Sequence, residues 1–517
     1  MTEASESTHP FDWRFIAFLT GVTLSIHVVT NLITPYEFHR DEFLYFAMGT
    51  HLRLFHMDFP PLIALLSETV RAVAGTSLFA FRMVPAIAGS VVLLLALLIV
   101  RELGGGRLAQ ALTALAIIFN PLFLRTANLF QPVVLDQLWW LLGFHALARL
   151  ETTDEPKWWL LLGAAGGLGL LSKFSILFFG LAVLIGLLLT RRRREFLGPW
   201  PWAAAGIALL VGAPSVIGQI ALGFPLSQQM EGLHQMQLAR MTFGEFVMGQ
   251  VLWSPAGFLL AGAGLIAFML HPALRRYRLL GLIAAAAFVL FTLAKGKSYY
   301  VGPIYPVLYA AGAVWVDRLS QPRVRSALAW TISLLMVGYG LGTLPFGLPV
   351  LPPEPMARYA KATGITAGVT TNRGEILPLP QDYADMLGWK EQAEAVAQVF
   401  QALTPDEQAD AVLYGGNYGE AGALDLYGRR LKLPPVISLA GSFFNFGPGT
   451  RTGRVIIVLG MEPAEIESIS CQSLEVATRV RNPWGVPEEQ DVPVLVCRGP
   501  SLTPQELWQR VGEAQWG

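Results

Sequence analysis

Charge is scarce in this chain. Only 14% of its 517 residues are Asp, Glu, Lys or Arg, while 53% are hydrophobic and the mean hydropathy is +0.48. That balance excludes an ordinary soluble enzyme. The 37 basic and 37 acidic side chains cancel, so net charge names no partner, and no nucleic-acid partner is expected. Cysteine is almost missing: Cys471 and Cys497 are the two present, both late in the chain. His39, His51, His56 and His234 match no metal-ligand spacing, so no metal site is indicated, although a divalent ion is not excluded, and no cofactor is required. A Gly-rich stretch, Tyr414 to Ala423, lacks both the dinucleotide fingerprint and a Walker lysine, which favours a tight strand-to-helix turn over a phosphate cradle. No internal repeat stands out.

Long apolar runs are what the chain has. Eleven approach the roughly 20 residues that cross a bilayer: 15–34, 82–100, 108–123, 133–150, 158–171, 175–190, 201–221, 251–270, 279–294, 301–316 and 327–346. The first is too long for a signal peptide and has no small-residue cleavage site behind it. Basic residues set the orientation. Placing the N-terminus inside collects Arg101, Arg149, Arg191 to Arg194, Arg275, Arg276 and Arg323 in the cytoplasmic turns, and leaves the longer opposite loops with fewer. Everything after residue 346 then lies outside. Two cysteines confined to an oxidising side read as a disulfide, with buried free thiols as the other reading.

The expected architecture is a polytopic α-helical membrane domain, 1–346, with about eleven transmembrane helices, and an extracytoplasmic α/β domain, 347–517. In the first external loop, 35–81, residues 41–55 read as a helix lying along the membrane surface, with Glu42, Tyr45, Gly49 and Arg53 on one stripe and Leu44, Met48, Leu52 and Phe55 on another. Pro60-Pro61 opens a second interfacial segment, 62–74. In the tail, strands are expected at 366–371, 411–415, 435–439, 454–460, 474–480 and 493–498, and helices at 389–402, 419–429, 462–469 and 503–511.

The stretch Tyr36-Glu-Phe-His-Arg-Asp-Glu-Phe43 puts Asp41 and Glu42 at a membrane exit, where carboxylates cost free energy and mark function. A base poised for a substrate hydroxyl and a helix N-terminal pair favoured by the dipole both fit. Late in the membrane part, Lys295-Gly-Lys297-Ser-Tyr299-Tyr300 combines cations with hydroxyl donors, which suits an anionic phosphate. Snorkelling lysines in an aromatic belt are the alternative. Arg240, Arg40, His56, Arg125 and Lys173 share that side. Asp136, inside an apolar run, is either a functional carboxylate or a partnered packing residue.

The stretches HRDEFLYFAMGTHL, MDFPPLIALL, NLFQPVVLDQLWWLL and AKGKSYYVGPIYPVLYAAGA resemble, in this order, GT-C glycosyltransferases. They are most similar to bacterial members of glycosyltransferase family 39, which are related to protein O-mannosyltransferases and lipid A aminoarabinose transferases. The resemblance implies inverting transfer from a polyprenyl-phosphate-linked sugar to an envelope glycan, lipid or protein. It implies Asp41 as base with Glu42 beside it, and Lys297 and Tyr299 in the loop that holds the lipid phosphate; by residue type and side, Tyr300 and Arg240 are further phosphate candidates, and Arg40, Tyr45, His56, Asp58 and Asp136 are supporting candidates. It also implies residence in a bacterial inner membrane with the tail outside. Where relatives often carry Lys or His before the Pro-Pro pair, this chain has Phe59 after Asp58, so His56 or Arg53 would have to supply that contact. A transporter or lipid flippase with an external glycan-binding domain is the alternative, and would place ionisable groups at the bilayer midplane with inverted repeats. A membrane-anchored binding protein whose tail recognises a glycan is a third reading.

Overall fold

A computed structural model describes residues 12–469 and 471–516. The chain divides into two compact units, one of residues 1–33 and 82–350 and one of residues 34–81 and 351–517.

The first unit is helical, and each of the eleven apolar runs lies on one or more of its helices. Among the described residues, five helices are long and apolar enough to cross a membrane: Trp13–Ile33, Leu78–Glu102, Trp200–Ala221, Arg275–Leu293 and Pro322–Gly347. A sixth candidate is a pair, Phe243–Trp253 and Pro255–Leu270, bent by 104°. The bend falls at Ser254, whose side chain caps the second helix by accepting from Gly257 N–H at 3.2 Å, with Pro255 opening that helix. Arg107–Ile118, Trp158–Leu170 and Ile176–Leu188 are shorter apolar helices, so length by itself supports five or six spans where eleven were expected.

Lipid tails are as apolar as leucine, so helix association here depends on close backbone approach. Gly264 and Gly312 supply it between Pro255–Leu270 and Tyr305–Asp317. A Cβ on Gly264 would stand 2.0 Å from the Leu308 carbonyl, and one on Gly312 would stand 2.1 Å from that of Leu260. The Arg191–Arg194 run forms a 3-10 helix, Arg191–Leu197, in which Arg192 pairs with Glu151 (3.0 Å), Asp154 (2.5 Å) and Glu195 (2.5 Å).

The second unit contains a five-stranded sheet in the order β2-β1-β3-β5-β4. Its strands are β1 (Val412–Gly415), β2 (Val436–Ile437), β3 (Val455–Leu459), β4 (Cys471–Arg481) and β5 (Asp491–Pro500). β1 runs parallel to β2 and β3, while β5 is antiparallel to β3 and β4. One face buries Leu413, Ile457, Val494 and Val496 with Ala393, Val396 and Leu424 of helices Trp389–Ala402 and Tyr418–Leu431. The other buries Tyr414, Ile456, Leu495 and Cys497 with Ile466 and Trp508. The Cys471–Cys497 disulfide joins β4 to β5 with Cα atoms 5.5 Å apart, so the free-thiol reading is dropped.

Three expectations change. Residues 366–371 are not a strand: a 3-10 turn, Thr366–Gly368, precedes a single bridge from Thr370 to Ile376. Residues 462–469 form a 3-10 helix, Pro463–Ile469, where an α-helix was expected. The third change concerns 34–81, which groups with the C-terminal domain and not with the helices that flank it in sequence. Its helix is Arg40–Thr50, shorter than the 41–55 expected, and Glu42 through Gly49 are all buried. Instead of lying as an amphipathic rod on a surface, it packs on both sides. Phe43 enters between Trp389 and Tyr427, each ring 5.7 Å away and edge-on. Gly422 lets the two helices touch, since a Cβ there would stand 2.6 Å from Phe43 Cβ and 3.0 Å from its backbone. On the other side Gly49 rests against Ser67 of helix Leu62–Ala74.

Gly422→Val should therefore push helix Arg40–Thr50 off Tyr418–Leu431 at a cost of about 1–3 kcal/mol. Hydrogen exchange of the full-length protein is expected to accelerate at residues 40–50 and to stay unchanged in β3 and β5.

Candidate functional site

Each unit contributes its own group of candidate residues. In the second, the chain enters helix Arg40–Thr50 held at both ends of one short segment. Glu37 N–H donates to the Met386 carbonyl (3.1 Å) and Arg40 N–H to that of Asp385 (3.0 Å). The helix then begins with a reciprocal cap. His39 Nδ1 accepts from Asp41 N–H at 3.1 Å, while Glu42 Oε2 accepts from His39 N–H at 2.8 Å. An accepting Nδ1 places the imidazole proton on Nε2, which stands 3.9 Å from Asp382 Oδ1 and 4.0 Å from Asp385 Oδ2. Glu42 is wholly buried in this role. Asp41, one residue earlier, is partly exposed.

The Asp41 carboxylate meets the C-terminal domain directly. Tyr418 hydroxyl donates to its Oδ1 at 2.9 Å. Arg40 lies over the Tyr418 ring, 5.1 Å from the centroid, and reaches Asp385 Oδ1 (3.4 Å) and Glu488 Oε1 (3.5 Å). Burial raises the Tyr418 and Tyr45 phenols well above their ordinary range, and the charge of Asp41 adds to it. Both therefore stay protonated donors. Burial pushes the Asp385 carboxyl up to about 6, against the opposing charge of Arg40. Asp58 is also buried, accepts from Ser442 hydroxyl at 2.9 Å, and has its carboxyl raised by burial. His56 and Arg53 are exposed in the turn that precedes it. Arg40, Asp41 and Tyr45 thus form one cluster. Glu42 faces inward from it as a cap, and Asp58 sits in a separate contact.

The Gly-rich Tyr414–Ala423 stretch forms the strand-to-helix turn expected. Asn417 caps helix Tyr418–Leu431, accepting from Gly419 and Glu420 N–H at 2.8 and 3.1 Å, and Glu420 accepts from Asn417 N–H at 2.9 Å. That cap puts Tyr418 at the first helical position, beyond the carboxyl end of β1, where α/β sheets offer their crevices. Sequence reading singled out neither Tyr418 nor Asp385. The Asn-x-x-Glu capping box was the legible signal for the turn, but nothing local says that Tyr418 reaches a residue 377 positions earlier.

In the first unit, Lys173 stands over two rings of the late loop, 4.6 Å from the Tyr300 centroid and 5.3 Å from that of Tyr299. The two tyrosine rings meet edge-on at 4.7 Å. The 3-10 helix Ser298–Ile304 that carries them is held by Gln250, whose Nε2 donates to the Ser298 carbonyl at 2.8 Å and whose Oε1 accepts from Tyr305 hydroxyl at 2.9 Å. Asp136 is buried and partnered, Oδ1 accepting from Trp140 Nε1 (3.1 Å) and Oδ2 from Ser175 hydroxyl (2.8 Å). Lys173 is its electrostatic neighbour, and both the functional and the packing readings of Asp136 fit these partners. Lys297 is half-buried at the start of the loop and Arg240 is exposed in a 3-10 turn, Leu238–Arg240.

Comparison with known proteins places this geometry. Residues 58–217 match the family described as dolichyl-phosphate-mannose-protein mannosyltransferase. ArnT from Cupriavidus metallidurans, solved bound to undecaprenyl phosphate, is similar over 93% of this chain and 98% of its own, with TM-score 0.61 and 16% identity. The oligosaccharyltransferase AglB from Archaeoglobus fulgidus, solved with an inhibitory peptide and a dolichol-phosphate, is similar over 88% of this chain and 70% of its own, with TM-score 0.51 and 12% identity. The fold is that of the GT-C glycosyltransferases. The chain shares the fold of these two proteins, and the family matched over residues 58–217 is described by mannosyl transfer. No curated protein sequence matches the chain.

The raised Asp385 carboxyl has a signed consequence. Below about pH 4 it is protonated in both the folded and unfolded chain. Between there and its folded value of about 6 only the folded state holds the proton. Its contribution to stability is therefore full below pH 4 and lost as pH rises through 6. Asp385→Asn should flatten this part of the stability profile by on the order of 2–3 kcal/mol, measured by chemical denaturation of both proteins from pH 4 to 7.

Proposed function

We propose that the protein transfers a sugar from a polyprenyl-phosphate donor to an acceptor hydroxyl outside the cytoplasm, with inversion at the anomeric carbon. The observation that carries this reading is the Asp41 carboxylate, partly exposed at a rigidly capped helix start and aligned by Tyr418 beside Arg40. An acceptor hydroxyl is a poor nucleophile and needs a base as it attacks. Asp41 takes that proton. The new glycosidic bond forms on the face opposite the breaking C–O bond, and the electron pair of that bond leaves with the lipid phosphate.

A phosphate is already a good leaving group, so no carboxylic acid is needed to protonate it. It needs charge stabilisation, which cations and hydroxyl donors supply. Lys297, Tyr299, Tyr300 and Arg240 take this role. Arg40 and Tyr45 support Asp41, and Glu42 supports it through the cap. His56 and Asp58 belong to the same segment and stand as acceptor-side candidates. Undecaprenyl phosphate on ArnT and dolichol-phosphate on AglB, relatives in fold, support a polyprenyl carrier here. The excess of arginine in the expected cytoplasmic turns and the Cys471–Cys497 disulfide support a bacterial inner membrane location with the C-terminal domain outside. Envelope glycan, lipid and protein remain the acceptor classes.

Release of undecaprenyl phosphate from a panel of undecaprenyl-phosphate-linked hexoses and pentoses tests the reading. Asp41→Asn should lower release about 10²–10⁴-fold with normal membrane expression, and undiminished release would remove Asp41 from the mechanism. Lys297→Gln should weaken donor use about ten- to hundredfold through loss of a charge-assisted contact, seen as a raised donor concentration at half-maximal rate.

A further inference from the structure

A carboxylate in the first turn of a helix can rotate about its side-chain bonds, and a general base works only when one oxygen is aimed at the incoming hydroxyl. In this chain the restraint comes from the C-terminal domain. We propose that Tyr418 is a positioning residue for Asp41, its hydroxyl setting the direction of the carboxylate. The proposal rests on Asp41 being the general base.

Three observations lead to it. The Tyr418 hydroxyl donates to Asp41 Oδ1 at 2.9 Å, which restrains the carboxylate about its side-chain bonds. A hydrogen bond to an ionised acceptor is among the stronger kinds and stabilises the charged form. Next, Tyr418 is itself held on every side. It follows the Asn417–Glu420 cap, Gly419 beside it comes so near helix Arg40–Thr50 that a Cβ there would stand 3.3 Å from Arg40 Cβ, and the Arg40 guanidinium covers its ring. Finally, the backbone of Asp41 is anchored separately by His39 Nδ1. Main chain and carboxylate are thus fixed by different partners, as a preorganised base requires. Charged and titratable groups facing Asp41 include Arg40, His39 and Tyr45 from its own segment, and Tyr418 and Asp385 from the C-terminal domain.

The test reads Asp41 directly and needs no knowledge of the sugar. Carbodiimide with glycine ethyl ester labels protonated carboxyls, and mass spectrometry of the Asp41 peptide from full-length protein in detergent gives a labelling midpoint against pH. Tyr418→Phe keeps the ring under Arg40 and removes only the hydroxyl. It should raise the Asp41 midpoint by about one pH unit, whereas a purely packing role for Tyr418 would leave it where it is. An unmoved midpoint overturns the inference. If Tyr418→Phe fails to fold, 3,5-difluorotyrosine at position 418, nearly isosteric and a stronger donor, should lower the midpoint, and no change there overturns the inference equally. The two readings fail separately. Loss of transfer in Asp41→Asn with an unmoved midpoint in Tyr418→Phe removes the positioning role alone. Full transfer in Asp41→Asn removes the base assignment whatever the midpoint does.

Discussion

The contact between helices Arg40–Thr50 and Tyr418–Leu431 is the constraint on which the candidate base depends. Phe43 fills the space between Trp389 and Tyr427, and Gly422 is the missing side chain that lets Phe43 in. Burial of one aromatic side chain contributes on the order of 2–3 kcal/mol, enough to bind a short helix that could not persist alone at eleven residues. Once that helix is seated, its first turn faces the turn after β1, and Arg40 and Asp41 meet Tyr418 without further adjustment.

Electrostatics follow from the same packing. Packing within this unit removes Asp385, Asp58 and Glu42 from water, and each burial is offset by a named donor: Arg40 for Asp385, Ser442 for Asp58, and the His39 backbone N–H for Glu42. Asp41 differs from its neighbour because it keeps partial exposure. Two adjacent carboxylates therefore have distinct duties, one closing the cap and one facing outward, and the helix period separates them by about 100°.

Much of the fold was legible. The eleven apolar runs each fell on helix, because hydrophobic length survives any tertiary arrangement, although length supports five or six spans among the described residues. Helices Trp389–Ala402 and Tyr418–Leu431 and all five strands fell close to where periodicity put them. The failures have local causes. Residues 41–55 scanned as a surface helix because alternate stripes look amphipathic, yet Tyr45 and Glu42 are polar groups buried inside a packed unit. Residues 366–371 have a β-branched, strand-like composition but only one bridge partner.

The sequence by itself determined the helical membrane class, the α/β tail, the candidate carboxylate at position 41 and the Lys297 to Tyr300 loop, since each is written in local composition and order. Only tertiary structure decided that residues 34–81 belong with the C-terminal domain, and that Tyr418 holds Asp41. That hydrogen bond joins residues 377 positions apart. A contact of that range leaves no periodicity in the chain. It depends on a missing side chain at Gly422 and a capped turn at Asn417, and their consequence for Asp41 exists only once the two helices are packed.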